Sequence, residues 1–286
     1  MFGLFDAIAE WLRVILIDGI TLNFVGMFDE VNSRVGDIAA QVGQTPQGWN
    51  SGIFDMIRIL SETVIIPIAG IILTFILCYE LIHMVIERNN MNDFETFLIF
   101  KWVFKTFVAV FILTNTFDIV MSVFALAQNV VNNSAGIITG SMDMNLALTE
   151  LEAQLAEMGI AALVGLYLQS AILSIAMSIM SLCIFIIIYG RMIEIYLTIS
   201  IAPIPFSTMV NRDWGNIGNS YLKALFALAF QGFLIMVCVA IYAVLLQGIT
   251  AAESIHLAIW GAAGYTLLLC FTLFKTGSLA KSLFGS

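Results

Sequence analysis

The chain is 286 residues long, 60% of them apolar and 11% charged, with a formal net charge of −9. Soluble domains carry about a quarter charged residues, so the composition excludes the soluble class and marks an integral membrane protein. The acidic balance also argues against a large basic nucleic-acid surface, leaving only local basic patches.

The opening stretch, "MFGLFDAIAEWLRVILIDG", places Asp6 and Glu10 ahead of any basic residue and does not read as a cleaved signal peptide. From Ile20 the apolar residues Phe24, Met27, Val31, Val35, Ile38 and Val42 recur at intervals of three and four, with Glu30, Arg34, Asp37 and Gln41 on another face. This spacing predicts an amphipathic helix. Its apolar face either lies on the membrane surface or on the chain's own spans, or it meets another subunit through Ile20, Phe24, Val31 and Val35. "GQTPQGWNSG", Gly43 to Gly52, is rich in turn formers and predicts a loop.

A helix needs about 20 apolar residues to cross the hydrocarbon core. Spans are expected at Leu60–Ile86, at Phe97–Phe117 or a turn or two beyond, from Gly159, at Ala224–Gly248 and at Ile255–Phe274. The predicted fold class is therefore all-α, a polytopic membrane protein with five transmembrane helices plus extracytoplasmic amphipathic helices. Between spans two and three, "NNSAG" opens an acidic piece that ends in "LTELEAQLAEM", a short helix feeding the third span. Asn92 and Glu95 resemble a capping box that starts the second span near Asp93, after a first span ending at Arg88.

Basic residues set the expected orientation, because cytoplasmic loops keep an excess of lysine and arginine. Arg88, Lys101 and Lys105 flank the first turnaround, Arg191, Arg212 and Lys223 the second, and Lys275 and Lys281 follow the last span. The stretch from Thr106 to Gly190 has no basic residue but holds Asp143, Glu150, Glu152 and Glu157. The N-terminus is then expected outside and the C-terminus in the cytoplasm, although Arg13, Arg34 and Arg58 go against the rule. The expected segments are residues 1–50, an extracytoplasmic amphipathic helical segment; 51–130, the first transmembrane hairpin; 131–158, the acidic extracytoplasmic loop and helix; and 159–286, a C-terminal membrane bundle with a proline-broken segment.

An uninterrupted helix from Met158 to Gly190 is already roughly 50 Å long at ~1.5 Å per residue. A third helix that ends or bends near Gly190 is therefore expected, followed by an apolar segment stopped by Pro203 and Pro205. Arg191 and Glu194 sit three residues apart at this point, where an ion pair would pin the helix to that segment. In the first hairpin, equal depth from the turn places Glu80 opposite Lys101, with Lys105 as a second candidate one turn deeper. Such a pair would satisfy two charges that are each costly alone.

The order of these features carries a resemblance. An outside amphipathic start, "QTPQGW", "IIPIAGIILTFILCYELI", "KWVFKTFVAVFILTNTFDIVM" and above all "RMIEIYLTISIAPIPFSTM" resemble the TrbL-type conjugal-transfer membrane proteins of type IV secretion systems, especially those of Gram-positive conjugative elements. The resemblance spans nearly the whole chain. It implies a non-enzymatic, multi-copy channel or scaffold subunit of the cytoplasmic (cell) membrane that helps pass DNA and protein. The implied partners are membrane lipid, further copies of the chain, other secretion subunits including a cytoplasmic ATPase, and transiently the translocating DNA or protein. It implies no cofactor.

Catalytic motifs are not found: there is no Walker loop, HExxH or GxSxG, and His83 and His256 are the only imidazoles. Glu80, His83 and Glu87 share a helix face that reads as a metal site or as an interfacial cluster of charged ends. Cys78, Cys183, Cys238 and Cys270 sit singly in separate apolar segments and read as buried thiols. Ser170, Ser174, Ser178 and Ser181 form one stripe of the third span, suited to packing within the chain, packing between subunits or lining a wet pore. "GAAG", Gly261–Gly264, reads as a close helix contact. The alternative function is an independent ion channel or secondary transporter, for which midplane charges would speak. Most charged candidates instead lie near span ends, Asp118 excepted.

Overall fold

A computed structural model describes residues 2–86, 96–135, 153–247 and 255–285. The side chains of residues 2–6, 28, 31, 32, 34, 35, 39, 96, 135, 246, 247, 255, 256, 258 and 259 are outside the description. Arg88, the expected capping box at Asn92–Glu95, Glu87, and Asp143, Glu150 and Glu152 of the acidic piece lie outside the described residues. Among the described residues the chain is helical apart from short turns, without a strand. The helices are α1 (Phe2–Val42), α2 (Pro46–Trp49), α3 (Ser51–Leu60), α4 (Ile66–Ile86), α5 (Thr96–Thr114), α6 (Thr116–Ala135), α7 (Ile160–Ser200), α8 (Pro203–Thr208), α9 (Gly215–Gln247) and α10 (Ile255–Phe284). Residues 153–157 are also helical. Five segments are long and apolar enough to cross a membrane: Ser51–Ile86, Phe97–Thr114, Ile160–Ser200, Gly215–Leu245 and Trp260–Phe284. These are the five spans read from the sequence, with shifted ends.

The shifts have local causes. The expected loop at Gly43–Gly52 is largely helical. Thr45 Oγ1 accepts from Gly48 N at 3.0 Å and caps α2, with Pro46 at its first position. Asn50 Oδ1 accepts from Ile53 N at 3.0 Å and caps α3. The first span therefore begins at Ser51, about two and a half turns before Leu60. Its helix passes through a π-helical segment, Ser61–Ile65, and the N–H of Ile66 bonds back to the carbonyl of Ser61. Pro67 explains the widening, since its ring clashes with the carbonyl four residues back and it donates no hydrogen bond.

α7 corrects a second expectation. It does not end at Gly190 but runs unbroken for 41 residues to Ser200, where the turn before Pro203 stops it. A glycine costs a helix only about 1 kcal/mol, and the apolar residues on both sides outweigh it.

Two compact units are present. The first contains residues 1–42, 133–188 and 235–275. In it α1 lies along α7 and runs the same way: Arg13 donates to the carbonyl of Met158 at 2.8 Å, Asn23 Nδ2 to Ser170 Oγ at 3.0 Å, and Ser178 Oγ to Glu30 Oε2 at 3.5 Å. At Gly19 a Cβ would meet the Tyr167 ring at 2.6 Å, so any larger residue there would have to displace that ring. Ile20 and Phe24 are buried in the unit, whereas the Val31 and Val35 side chains are not described. The apolar face of α1, as far as Ile20 and Phe24 represent it, is thus covered by its own chain and not open to a neighbour. Ala262 and Ala263 of the "GAAG" stretch are buried, and the Tyr242 hydroxyl meets Thr266 Oγ1 at 2.7 Å nearby.

The second unit contains residues 43–132, 189–234 and 276–286. Its main core joins Phe54 and Ile57 of α3, Phe117, Val120 and Phe124 of α6, Ile195, Tyr196 and Ile199 of α7, and Leu225 and Leu228 of α9. A smaller core sets Ala69, Leu73 and Leu77 of α4 against Ala109 and Leu113 of α5, with Ile204 of α8 packed on top. The alanines keep the two helices close enough for α8 to seat on both. Of the four cysteines, all free, only Cys270 is buried; Cys78 is exposed and Cys183 and Cys238 are half-buried. The expectation of buried thiols fails for these three, because a span's outward face is apolar without being covered by protein.

Candidate functional site

The distinctive sequence motifs come together in the second unit. α2, the "TPQGW" turn, packs on the start of the unit's α7 portion. Trp49 stands edge-on to Tyr189, with ring centroids 5.3 Å apart, and lies 5.9 Å from the Tyr196 ring. The Tyr196 hydroxyl donates to the carbonyl of Pro46 at 2.6 Å and to that of Asn50 at 3.3 Å. Tyr196 thereby ties down both ends of α2, at the carbonyl of its first residue Pro46 and at that of Asn50, which also accepts from Phe54 N at 3.0 Å. Neither tyrosine was singled out in the sequence; the signal was the aromatic pair seven residues apart, two turns on one helix face.

Between Tyr189 and Tyr196 lies Arg191, which is buried, and its Nε has no hydrogen-bond acceptor among the described residues. Glu194 does not supply one. It points to the half-exposed side and accepts from Lys281 Nζ of α10 at 3.2 Å. The expected Arg191–Glu194 pair is therefore replaced by Glu194–Lys281, since residues three apart point about 60° apart around the axis, enough to send one inward and one out.

Pro203 and Pro205 are both buried in α8, whose first position suits a proline. The turn after α8 is locked by Asn211, whose Oδ1 accepts from Asp213 N at 2.8 Å and Trp214 N at 3.2 Å. Trp214 in turn stacks on Phe75 and Tyr79, one helical turn apart on α4, at 5.9 and 6.2 Å between centroids. α9 then crosses α8 at Gly218, where a Cβ would fall 2.6 Å from the Pro205 carbonyl oxygen and 2.0 Å from Met209 Cγ.

The first hairpin carries an ion pair, but it joins Glu80 to Lys105 and not to Lys101. Side chains lean toward the N-terminus of their own helix. Glu80 thus reaches away from the turnaround and the lysine on the antiparallel neighbour reaches toward it, so the partners meet one turn out of level. Counting Cα depth alone misses this. Lys101 is exposed and shares with Lys105 a cavity of about 730 Å³, lined also by Tyr79, Glu80, His83, Trp102, Arg212 and Asp213. Two buried polar atoms of these residues, Glu80 Oε2 and Trp102 Nε1, have no partner among the described residues. Among the described residues no group of three metal-ligating side chains is close enough to hold an ion, and Glu87 of the sequence's metal reading is not described.

The serine stripe is divided. Ser170 is buried and bonded to Asn23, Ser181 is buried, Ser174 is half-buried and Ser178 is exposed beside Glu30. At Ser170 and Ser178 it faces α1.

A family model described as "TrbL/VirB6 plasmid conjugal transfer like protein" matches residues 31–203. The chain belongs to this conjugal-transfer family. No curated protein and no solved structure matches it. The TrbL/VirB6 match begins within α1 and ends at Pro203, so it contains both docked motifs, Trp49 with its turn and the Tyr189–Tyr196 helix face. Membership makes the protein a component of type IV secretion conjugation machinery, and its five apolar segments make it a multi-pass membrane protein. The TrbL/VirB6 family is one of transfer components and not an enzyme family.

Proposed function

We propose that the chain is a multi-copy channel or scaffold subunit of the conjugation machine in the cytoplasmic membrane, helping DNA and protein to cross. The N-terminus is outside, the C-terminus is in the cytoplasm, and a partner ATPase supplies the energy. The observation that carries this reading is the family match across the docked motifs. The outer face of α7 supports the multi-copy part. Exposed Leu168, Ile172, Ile175, Ile179, Leu182, Ile186, Ile193 and Leu197 line it along most of its 41 residues. That is roughly 60 Å of helix against a hydrocarbon core of ~30 Å. Lipid covers about half of such a face when the helix stands upright, and a second copy is suited to cover the rest.

The test is to purify the full chain in mild detergent, image its oligomer, and measure transfer in a host whose own gene is deleted and complemented by single-cysteine variants. A ring cross-linked through Ile172→Cys or Ile179→Cys, with transfer lost on deletion, is expected. A monomer, or normal transfer without the protein, would sink the proposal.

A further inference from the structure

The cavity between the ends of α4 and α5 and the Asn211–Asp213 turn plays no part in joining the two motifs, yet it gathers more unmatched polarity than any other described place in the second unit. We propose that it holds the headgroup of an anionic, hydroxyl-bearing phospholipid of the phosphatidylglycerol type. The inference rests on membrane residence alone and is independent of the transfer role.

Size comes first: about 730 Å³ falls within the ~300–1,000 Å³ of small-molecule sites. Placement comes second. Tyr79 and Trp102 line the cavity and Trp214 stacks on Tyr79 beside it, and aromatic side chains with lysines at the end of a span mark the headgroup level of the bilayer. Met84 and Leu98 in the same wall offer an apolar exit for acyl chains.

Chemistry decides the headgroup. Lys101, Arg212 and the Trp102 indole N–H donate hydrogen bonds and accept none, and the Trp102 Nε1 is buried without a partner among the described residues. A phosphodiester supplies the acceptors. Glu80 is engaged by Lys105 at Oε1, while its Oε2 is buried and lacks a donor among the described residues, so an occupant with a donor beyond its phosphate would complete it. Choline has none. Ethanolamine has one but brings no net charge, whereas Lys101, Lys105 and Arg212 outnumber Glu80 and Asp213 among the lining residues by one positive charge. A singly negative lipid with terminal hydroxyls answers donor, acceptor and charge together. Basic pockets among span ends are a known kind of site for anionic headgroups.

The experiment measures lipid retention by native mass spectrometry of the full chain in detergent, with phosphatidylglycerol, phosphatidylethanolamine or phosphatidylcholine added. Phosphatidylglycerol should be retained in preference, and the K101Q/R212Q double variant should weaken its apparent affinity about tenfold or more. A charge-matched K223Q/K275Q control should retain it like the wild type. Should the double variant not fold, W102F removes the indole donor while keeping an aromatic ring, and unchanged retention in W102F would overturn the site. Equal retention of the ethanolamine or choline lipid would also overturn it. So would displacement of phosphatidylglycerol by inorganic phosphate, which would make the source a free anion, or by a single-stranded oligonucleotide, which would make it nucleic acid.

Discussion

The Tyr196 hydroxyl donates a 2.6 Å hydrogen bond to the carbonyl of Pro46, 150 residues away in the chain. This single bond ties the loop motif to the most distinctive helix of the family match. Tyr196 is buried, so Tyr196→Phe removes the hydroxyl donor to the Pro46 carbonyl at about 1–3 kcal/mol, while the Asn50 carbonyl keeps its bond from Phe54 N. The expected outcome is a lower thermal unfolding midpoint of the detergent-solubilised protein, followed by loss of monodisperse elution after heating. Trp49→Ala, which removes both ring contacts, should cost more. An unchanged midpoint in both would mean that the docking contributes nothing.

Glu80 and Lys105 should behave as a pair in charge reversal. Glu80→Lys and Lys105→Glu each leave like charges facing in a half-buried place and should reduce accumulation in the membrane, while the double reversal should recover it. Glu80→Lys combined with Lys101→Glu should stay defective. Rescue by Lys101→Glu instead would restore the equal-depth pairing.

Arg191 and Glu194 should separate. Glu194 and Lys281 are both about half exposed, a pair worth ~0–1 kcal/mol, so Glu194→Ala should assemble and transfer almost normally. A buried guanidinium with an unpaired Nε is a different matter, because an apolar residue of similar length often replaces a buried charge at no loss of stability. Arg191→Met is therefore expected to accumulate like wild type. A transfer defect in that variant would assign Arg191 a role beyond folding, and a loss of protein would assign it a role in folding alone.

Gly218→Val should be among the most damaging changes to a residue without a side chain. The added Cβ meets the backbone oxygen of Pro205 as well as Met209, so repacking one side chain cannot absorb it, and overpacking of this kind costs about 1–3 kcal/mol. Gly70→Val, where nothing lies within 4 Å, serves as the comparison. Equal accumulation of the two variants would mean that α8 and α9 do not meet as closely as described.

Ile20→Ser with Phe24→Ser should raise protease sensitivity of the first unit, since both side chains are buried there. A change of oligomer size with unchanged protease resistance would return this face to a subunit contact.

How legible this fold was depended on which signal each feature sends. Apolar length revealed the five spans, because a bilayer imposes a minimum that a sequence must meet. It placed the start of α7, expected from Gly159 and found at Ile160, but not its far end, because a stretch that stays apolar past Gly190 contains no boundary until Pro203 breaks it. The loop at Gly43–Gly52 was misread because Thr45, Pro46 and Asn50 are turn formers and helix caps alike, and only their spacing to Gly48 and Ile53 distinguishes the two. The hairpin charge pair was found but one turn off, since position along the axis is visible in the sequence and side-chain lean is not. The Tyr189–Tyr196 spacing marked an aromatic helix face, but nothing local named Pro46 as its partner, since the two residues share no periodicity. The cavity polarity was visible only as the Glu80 hairpin pair and the Glu80–His83 helix face, because Arg212 reaches it from a turn over 100 residues downstream.

The lengthwise pairing of α1 with α7 bears on how the protein is made. Asn23 waits for Ser170, 147 residues later, and at ~5–20 residues per second synthesis of that interval takes roughly 7–30 s. During this time the Ile20–Phe24 face has left the ribosome without its seat, while Ser51–Ile86 and Phe97–Thr114 are inserting. A stretch of greasy helix held in waiting is a target for proteases and for adhesion to other nascent chains. Cells overexpressing the protein should accordingly accumulate fragments cut within α1, and slowing translation just upstream of residue 160 should increase them.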